Sequence, residues 1–275
     1  MLDAEAPFGR PLPWFQIFKY TIFGLLALNA GQFFLQDYVA TRHFFSGGLQ
    51  WSQIIEGYAA TIDTVAWLVL LLMFEFETSL LFHERFHNLW VKWSVNTLKA
   101  IAYGFIVYSL YGYIAKYTAM HSFELSTIKD LCDQVGQQLV FMISPDDFAA
   151  INIQNCAGLT RGETLFHLPG TNVVTDSSYL ALTQNLALID VTNASGWVLI
   201  VLILQADVWM QLRHQLTYTM VKVMHFIKAF LYSLLLGCAI YWGVDGTFLD
   251  FWDASLWILA FSFIELNIFK WHVES

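Results

Sequence analysis

The sequence predicts an all-α, polytopic membrane protein in which six transmembrane helices form three related hairpins. Its 275 residues are 57% hydrophobic and only 13% charged, with a mean hydropathy of +0.53. A soluble protein carries charge on about a quarter of its residues, whereas several runs here approach the roughly 20 apolar residues that cross a bilayer as a helix. These runs do not alternate apolar and polar residues, which argues against a transmembrane barrel.

The apolar runs define six spans and three regions of the chain. The spans are predicted at residues 15–36, 61–82, 94–115, 194–213, 221–243 and 253–270. The regions are residues 1–115 with helices 1–3 and a short interfacial segment at 37–60, an extracytoplasmic loop subdomain at 116–192, and residues 193–275 with helices 4–6. The amino terminus, MLDAEAPFGRPLPW, begins acidic and Pro-rich, so we expect no cleavable signal peptide and a first span that stays in the membrane.

Basic residues predict the orientation of the helices, because cytoplasmic loops carry an excess of Lys and Arg. Nine fall on one side of the predicted membrane: Arg10, Lys19, Arg85, Lys92, Lys99, Arg213, Lys222, Lys228 and Lys270. Four fall on the other side: Arg42, Lys116, Lys129 and Arg161. Both termini are therefore expected in the cytoplasm, with the protein in an inner or plasma membrane.

The prediction of three hairpins comes from a segment that occurs three times, DTVAWLVLLLMFEFE at 63–77, NASGWVLIVLILQAD at 193–207 and DASLWILAFSFIELN at 253–267. Each copy opens with a short polar residue that suits a helix N-cap. Each has a Trp four residues later, which we expect in the interfacial aromatic belt. The matching pieces VKWSVNTLKA at 91–100 and VKVMHFIKA at 221–229 extend the repeat to the helices between the copies.

Acidic side chains inside the predicted spans are the candidate functional residues. Glu75 follows Asp63 by twelve residues, or roughly 18 Å of helix, and therefore lies within the apolar part of a bilayer. A carboxylate there costs at least ~2.5–3.5 kcal/mol, so a proton, a cation or a Lys must compensate it. The candidate ion-path acids are Glu75, Glu77, Asp207 and Glu265, and their candidate charge partners are Lys19, Lys99 and Lys228.

Two interpretations of these acids remain open at the level of sequence. In one, the lysines form structural ion pairs that fix neighbouring helices to each other. In the other, acids from related helices line a path for a cation or a proton, as intramembrane carboxylates commonly do.

The loop at 116–192 is long enough to fold outside the membrane. The stretch STIKDLCDQVGQQLVFM has helical periodicity, SPDDFAAINIQNC indicates a second helix, and HLPGTNVV is typical of turn and coil. Cys132 and Cys156 both lie in this loop, where an oxidising compartment permits a disulfide between them. Cys238 falls in the middle of a span and is expected to pack as a small apolar residue.

The stretch HERFH at residues 83–87 resembles the HExxH zinc motif of metalloproteases, including intramembrane ones. The resemblance covers five residues and implies His83 and His87 as zinc ligands. Those proteases usually take a third ligand from an Asp-Gly motif, but the Asp-Gly at 245–246 falls on the opposite side of the predicted membrane. His214 and His272 end two later spans on the same side as His83 and are the alternative ligands. Dipole contacts at helix ends explain all four residues without a metal.

These observations favour an integral membrane channel or transporter for a cation or proton, and a function without catalysis. One alternative is a non-catalytic membrane scaffold or accessory subunit of a larger complex, and a second is a membrane metalloenzyme of the HExxH type. The cofactor is unknown, with zinc the one candidate. The expected partners are the lipid bilayer and further membrane subunits or copies of the same chain, but no nucleic acid, because basic residues are few and the formal net charge is −9.

Overall fold

Six long helices make up most of the molecule, and 77% of the structure is helical. The structure, a computed structural model, describes residues 13–45, 48–81, 89–160, 164–212 and 217–273. The helices in chain order are α1 (Pro13–Phe44), α2 (Ile54–Gly57), α3 (Ala59–Leu81), α4 (Leu89–Met120), α5 (Cys156–Thr160), α6 (Ser177–Leu212), α7 (Tyr218–Asp245) and α8 (Phe248–Val273).

The long helices form a closed ring around a shared apolar core. Going round the ring, α1 packs against α3, α3 against α4, α4 against α6, α6 against α7, α7 against α8, and α8 against α1. The core receives side chains from all six helices, for example Leu26, Leu70, Ile106, Ile200, Leu235 and Leu256. Apolar residues on one stripe of each helix therefore meet at the ring axis.

Four of the long helices are long and apolar enough to cross a membrane: Ala59–Glu77 of α3, Leu89–Met120 of α4, Ser177–Asp207 of α6 and Tyr218–Asp245 of α7. Only 22–33% of the residues in their apolar windows are buried inside the protein. Most of each apolar window thus faces outward, which is the arrangement that a lipid environment stabilises. The predicted first and sixth spans fall in α1 and α8, and membrane crossing by these two helices remains a prediction.

The described residues between α4 and α6, 121–160 and 164–176, fold into a small unit that contains a β-sheet, here called the sheet unit. Its strands are β1 (Glu124–Leu125), β2 (Val140–Met142), β3 (Phe148–Ala150), β4 (Leu165–His167) and β5 (Val173–Asp176). The strand order is β1-β4-β5-β2-β3, antiparallel except for the parallel pair β2 and β5. The end of the helix ring that carries this unit is called the sheet end below.

The disulfide in the sheet unit is confirmed. Cys132 and Cys156 are bonded, with their Cα atoms 5.0 Å apart, and the bond joins the short turn Leu131–Gln134 to α5. Cys156 and Leu131 are buried in the core of the unit together with Phe141. The bond therefore holds two short helical segments together in the core of the sheet unit.

The helices predicted in the sheet unit are only partly present: the described helical segments are the turn Leu131–Gln134 and α5, and strands occupy much of the rest. The fold is therefore mostly helical but not all-α. Residues 140–142 and 148–150 are strands, and HLPGTNVV forms the turn between β4 and β5 with the flanking strand residues. Strands of two to four residues are too short to show the alternation that identifies a strand. The tight turn is possible because Gly170 adopts a φ of +77°.

The assignment of Asp63, Asn193 and Asp253 as helix N-caps is also wrong. Helices α3, α6 and α8 begin four, sixteen and five residues before them. The helices continue through these polar residues, and neighbouring helices donate hydrogen bonds to two of them, Asp63 and Asp253. This part of the repeat therefore marks a buried polar layer instead of a helix start.

We predict that loss of the disulfide destabilises the sheet unit selectively. The bond closes a loop with a sequence separation of 24, for which the chain-entropy model gives about 3 kcal/mol. In Cys132→Ser/Cys156→Ser, backbone amides in residues 124–176 should exchange with deuterium faster by mass spectrometry, while amides in α3 and α7 remain as protected as before. The control Cys238→Ala, at a buried cysteine outside the unit, should leave the exchange of the sheet unit unchanged. Equal exchange with and without the disulfide would contradict this role.

Candidate functional site

Lysines lie against acids in the half of the ring away from the sheet end. Lys99 Nζ on α4 is 2.7 Å from Glu77 Oε1 on α3, and Lys228 Nζ on α7 is 3.0 Å from Asp207 Oδ2 on α6. Glu77 and Asp207 occupy the same position in two copies of the repeated segment. The two ion pairs thus join equivalent helices in equivalent ways, and both are largely buried.

A third ion pair links α1 to α3. Lys19 Nζ is 2.5 Å from Glu75 Oε1, which also accepts a hydrogen bond from the Tyr20 hydroxyl. About a quarter of each of the two charged side chains remains exposed. The fourth candidate acid, Glu265, lies outside the described side chains. Lysines therefore compensate three of the four candidate path acids, which favours the interpretation of these three as structural ion pairs.

The three repeated tryptophans pack together at the centre of the ring, and their expected position in an interfacial belt is wrong. Trp67, Trp197 and Trp257 are each only 5–6% exposed. The Trp67 ring centroid is 6.1 Å from that of Trp197 and 6.3 Å from that of Trp257. Phe261 contacts all three, at 4.7–6.2 Å. We call these four residues the tryptophan layer; it closes the ring between the ion pairs and the sheet end.

A cavity of about 60 Å³, lined by both aromatic and acidic side chains, lies between the tryptophan layer and the sheet unit. Five aspartates from four helices line it, and we call it the aspartate cavity. They are Asp37 of α1, Asp63 of α3, Asp190 of α6, and Asp250 and Asp253 of α8. The space suffices for only a few water molecules, because a water occupies roughly 30 Å³ in the liquid.

Neutral donors bind the two aspartates that belong to the repeat. Ser109 Oγ donates to Asp63 Oδ1 at 2.7 Å, and the Trp67 side chain also hydrogen-bonds to Asp63. Asn29 Nδ2 donates to Asp253 Oδ1 at 2.8 Å, and the Trp257 side chain hydrogen-bonds to Asp253. In both copies, therefore, the indole four residues later in the helix holds the carboxyl in place. The spacing of four residues between Asp and Trp in the repeat places the indole within hydrogen-bonding distance of the carboxyl.

The other three aspartates also bind uncharged groups. Asp37 Oδ2 accepts from the backbone N–H of Thr61 at 2.9 Å and from its hydroxyl at 2.6 Å. The Thr247 hydroxyl donates to Asp250 Oδ2 at 2.7 Å, and the Trp242 side chain hydrogen-bonds to Asp190. Such bonds reduce the cost of burying a carboxyl but do not neutralise its charge.

Lys116 near the end of α4 is the one cationic side chain among the residues that line the aspartate cavity in the described part of the chain. Its Nζ is 2.7 Å from Oδ1 of Asp146, which belongs to the turn between β2 and β3 of the sheet unit. A single ammonium group thus shares the cavity with five aspartates, of which Asp37 is buried and the other four are partly buried, and it is already paired with a sixth, Asp146. The cavity carries a large excess of acidic groups.

The third copy of the repeat places an amide at the same level. Asn193 lines the aspartate cavity, and its buried Oδ1 atom receives no hydrogen bond from any residue that the structure describes. Buried polar atoms nearly always have a partner. This atom is therefore an open acceptor for a proton donor or a cation inside the cavity.

Sequence reasoning identified Asp63, Asn193 and Asp253 only as caps and did not single out Asp37, Asp190 or Asp250. Each of these aspartates lies close to a predicted span end, where an acid is unremarkable. Their convergence follows from the ring packing, which a single sequence does not reveal. The one available signal was the spacing of four residues between Asp and Trp in two copies of the repeat.

The candidate zinc ligands His83, His87 and His214 lie outside the described residues, as does the side chain of His272. Within the described residues, no three or more His, Cys, Asp or Glu side chains are placed to hold one metal ion. The aspartates of the cavity are thus distributed along it and do not converge on a single point.

Comparison of the chain with protein families, with curated proteins and with solved structures finds no match.

We predict that the Lys228–Asp207 pair is structural. Lys228→Met leaves Asp207 as an uncompensated, largely buried charge and should lower the free energy of unfolding by roughly 3–5 kcal/mol. Lys228→Met/Asp207→Leu should restore most of this loss, because it removes both charges. SDS titration of the protein in mixed micelles, followed by circular dichroism, measures both effects. As a control, Lys19→Met breaks the more exposed pair and should cost less than Lys228→Met. A double variant as unstable as Lys228→Met would contradict this assignment.

Proposed function

We propose that the chain is a six-span membrane protein that moves a proton or a small monovalent cation, and that the aspartate cavity holds the transported ion. In this proposal the sheet unit lies outside the cell membrane and both termini lie in the cytoplasm, as the distribution of basic residues predicts. The ion pairs of Lys99 and Lys228 then lie in the cytoplasmic half. They hold the helices together and are not part of the path.

The observation that carries the proposal is the imbalance of charge in the aspartate cavity. Five aspartates, of which Asp37 is buried and the other four are partly buried, share the cavity with one lysine. The remaining contacts described for them are neutral hydrogen bonds. Ionised carboxylates that lack a cation are unstable in such an environment. The stable states are those in which protons or cations from solution occupy the cavity. A site that must take up cations to be stable is suited to bind and pass them on.

The distribution of the aspartates favours a transported ion over a permanently bound one. Tight divalent-cation sites collect six or more oxygens around one point, and the described residues contain no such group. Carboxyls spread over four helices instead offer a proton or a monovalent ion several positions of similar chemistry. Such positions allow the ion to leave as well as to bind.

In the proposed transporter, the tryptophan layer prevents ions from leaking along the ring axis. It lies one helical turn beyond Asp63 and Asp253 and fills the ring axis with buried aromatic rings. Transport then requires the helices to rearrange so that the layer opens toward the cytoplasmic half while the cavity closes toward the sheet unit. In inverted or repeated membrane folds, related helices move against one another in this way.

We predict that neutralising the repeat aspartates abolishes ion flux. Asp63→Asn and Asp253→Asn preserve the size of each side chain but remove the carboxyl that takes up a cation, so flux should fall to the level of empty liposomes. The measurement uses purified protein in liposomes, with a pH-sensitive dye for protons and separate Na⁺ and K⁺ gradients to identify the ion.

The matched control is Asp133→Asn, which removes an exposed aspartate of the sheet unit outside the cavity. It should leave flux unchanged, as should Lys228→Met/Asp207→Leu in the opposite half. If Asp207→Asn or Glu75→Gln stops flux while Asp63→Asn does not, the path lies at the ion pairs and the assignment to the aspartate cavity is wrong. Wild-type protein that is folded but moves no ion in any gradient would leave the scaffold as the better function.

A further inference from the structure

A second cavity lies directly above the aspartate cavity at the sheet end, and we call it the vestibule. It has a volume of about 360 Å³ and lies between the last turns of α1, helix α2, the end of α4, and the turn that joins β4 to β5. Asp37, Lys116 and Asp146 line both cavities. These three side chains are therefore the partition between the vestibule and the buried aspartates.

Close backbone contacts fix the rim of the vestibule. The Thr41 hydroxyl donates to the Gly57 carbonyl at 3.0 Å, and a Cβ on Gly57 would lie 2.7 Å from the Thr41 oxygen. On the other side, a Cβ on Gly112 would lie 2.5 Å from the Ile55 carbonyl oxygen. Helix α2 is thus wedged between α1 and α4, and only glycine permits this approach. Close packing of α2 against α1 and α4 therefore defines one wall of the vestibule.

The charges of the vestibule suit a cation. Glu56 of α2 lines it together with Asp37, Asp146 and Lys116, which gives three acids and one base. Burial raises the pKa of the Glu56 carboxyl. An acidic recess with low-dielectric walls concentrates small cations from solution. Lys116 is the opposing charge, and its pairing with Asp146 holds it at the partition.

We propose that the vestibule is the route by which a small monovalent cation or proton reaches the aspartate cavity, and that the Lys116–Asp146 ion pair is the barrier at its floor. The proposal rests on the function proposed above and specifies the side from which the ion enters. The open acceptor of Asn193 supports a ligand on the far side of this barrier. The ammonium group must turn aside before another cation can pass, and the sheet unit holds the group through Asp146.

The test measures access to the aspartate cavity without reference to transport. Ala60 lines that cavity and not the vestibule, so Ala60→Cys in a Cys238→Ala background places one free thiol beyond the barrier. Ag⁺, a small monovalent cation that binds thiolates, is added from the sheet side of the protein in liposomes. The fraction of thiol protected from later alkylation in denaturant is followed over time by mass spectrometry.

Two changes should alter this rate in opposite directions. Ser122→Trp fills the vestibule and should slow the reaction of Ag⁺, whereas Lys116→Met removes the opposing charge and should speed it by about tenfold. Gln53→Trp, on a different element of the vestibule, provides a second block if Ser122→Trp fails to fold. The control Thr127→Trp, at an exposed position of the sheet unit that lines neither cavity, should leave the rate unchanged.

Rates that respond to neither the vestibule blocks nor Lys116→Met would overturn the access route, even if ion flux is present. Conversely, the predicted pattern of rates in a protein that moves no ion would support the route and contradict transport. Ion flux in the same blocked variants provides the second readout: Ser122→Trp should reduce it and Thr127→Trp should not. The two proposals therefore fail in different measurements.

Discussion

Burial of carboxyl groups without enough cations is the constraint on which the rest of the structure depends. In the half of the ring away from the sheet unit the constraint is met internally, because lysines lie 2.5–3.0 Å from Glu75, Glu77 and Asp207. At the sheet end the constraint is not met internally, because Lys116 is paired with Asp146 and is the one described cation in a cavity lined by five further aspartates. Acidic side chains therefore have two different roles in this chain. Matched charges hold helices together, whereas unmatched charges require protons or cations from outside.

The repeated segment explains why the same three helices help to build both the sheet end and the opposite half of the ring. Each copy places a polar residue, then an indole four residues on, then an acid or amide after a further ten residues. In three dimensions the first two become a layer of carboxyls and an amide and a layer of aromatic rings. In the copies that end in Glu77 and Asp207, the last acid forms an ion pair with a lysine. Two of the indoles hydrogen-bond to the carboxyls preceding them, so the aromatic layer also sets the floor of the aspartate cavity. The repeat thus specifies the order of these layers along the ring axis, and in the proposed transporter the ion binds in the layer of carboxyls.

The sequence predicted the parts that depend on local pattern. Apolar runs located the six long helices, although α1 ends eight residues after the predicted span and α6 begins seventeen residues before it. The two loop cysteines were paired correctly. The sequence-based prediction failed where tertiary packing determines the local structure. The strands of the sheet unit are too short to alternate, and Asp63 lies inside a helix because Ser109 of the neighbouring helix, and not its own backbone, satisfies it. Asp37, Asp190 and Asp250 meet only because the ring closes, which no spacing within the chain encodes.

The central claim, that the aspartate cavity is neutralised by protons or cations from solution, is tested most directly by infrared spectroscopy of the protein in lipid. Protonated carboxyl groups absorb separately from carboxylates. The account predicts a protonated-carboxyl signal near neutral pH that loses intensity in Asp63→Asn/Asp253→Asn, or one that falls when Na⁺ or K⁺ replaces an organic cation too large for the cavity. A spectrum with fully ionised carboxylates that is insensitive both to alkali cations and to these substitutions would contradict it, because the buried charges would then be compensated within the protein.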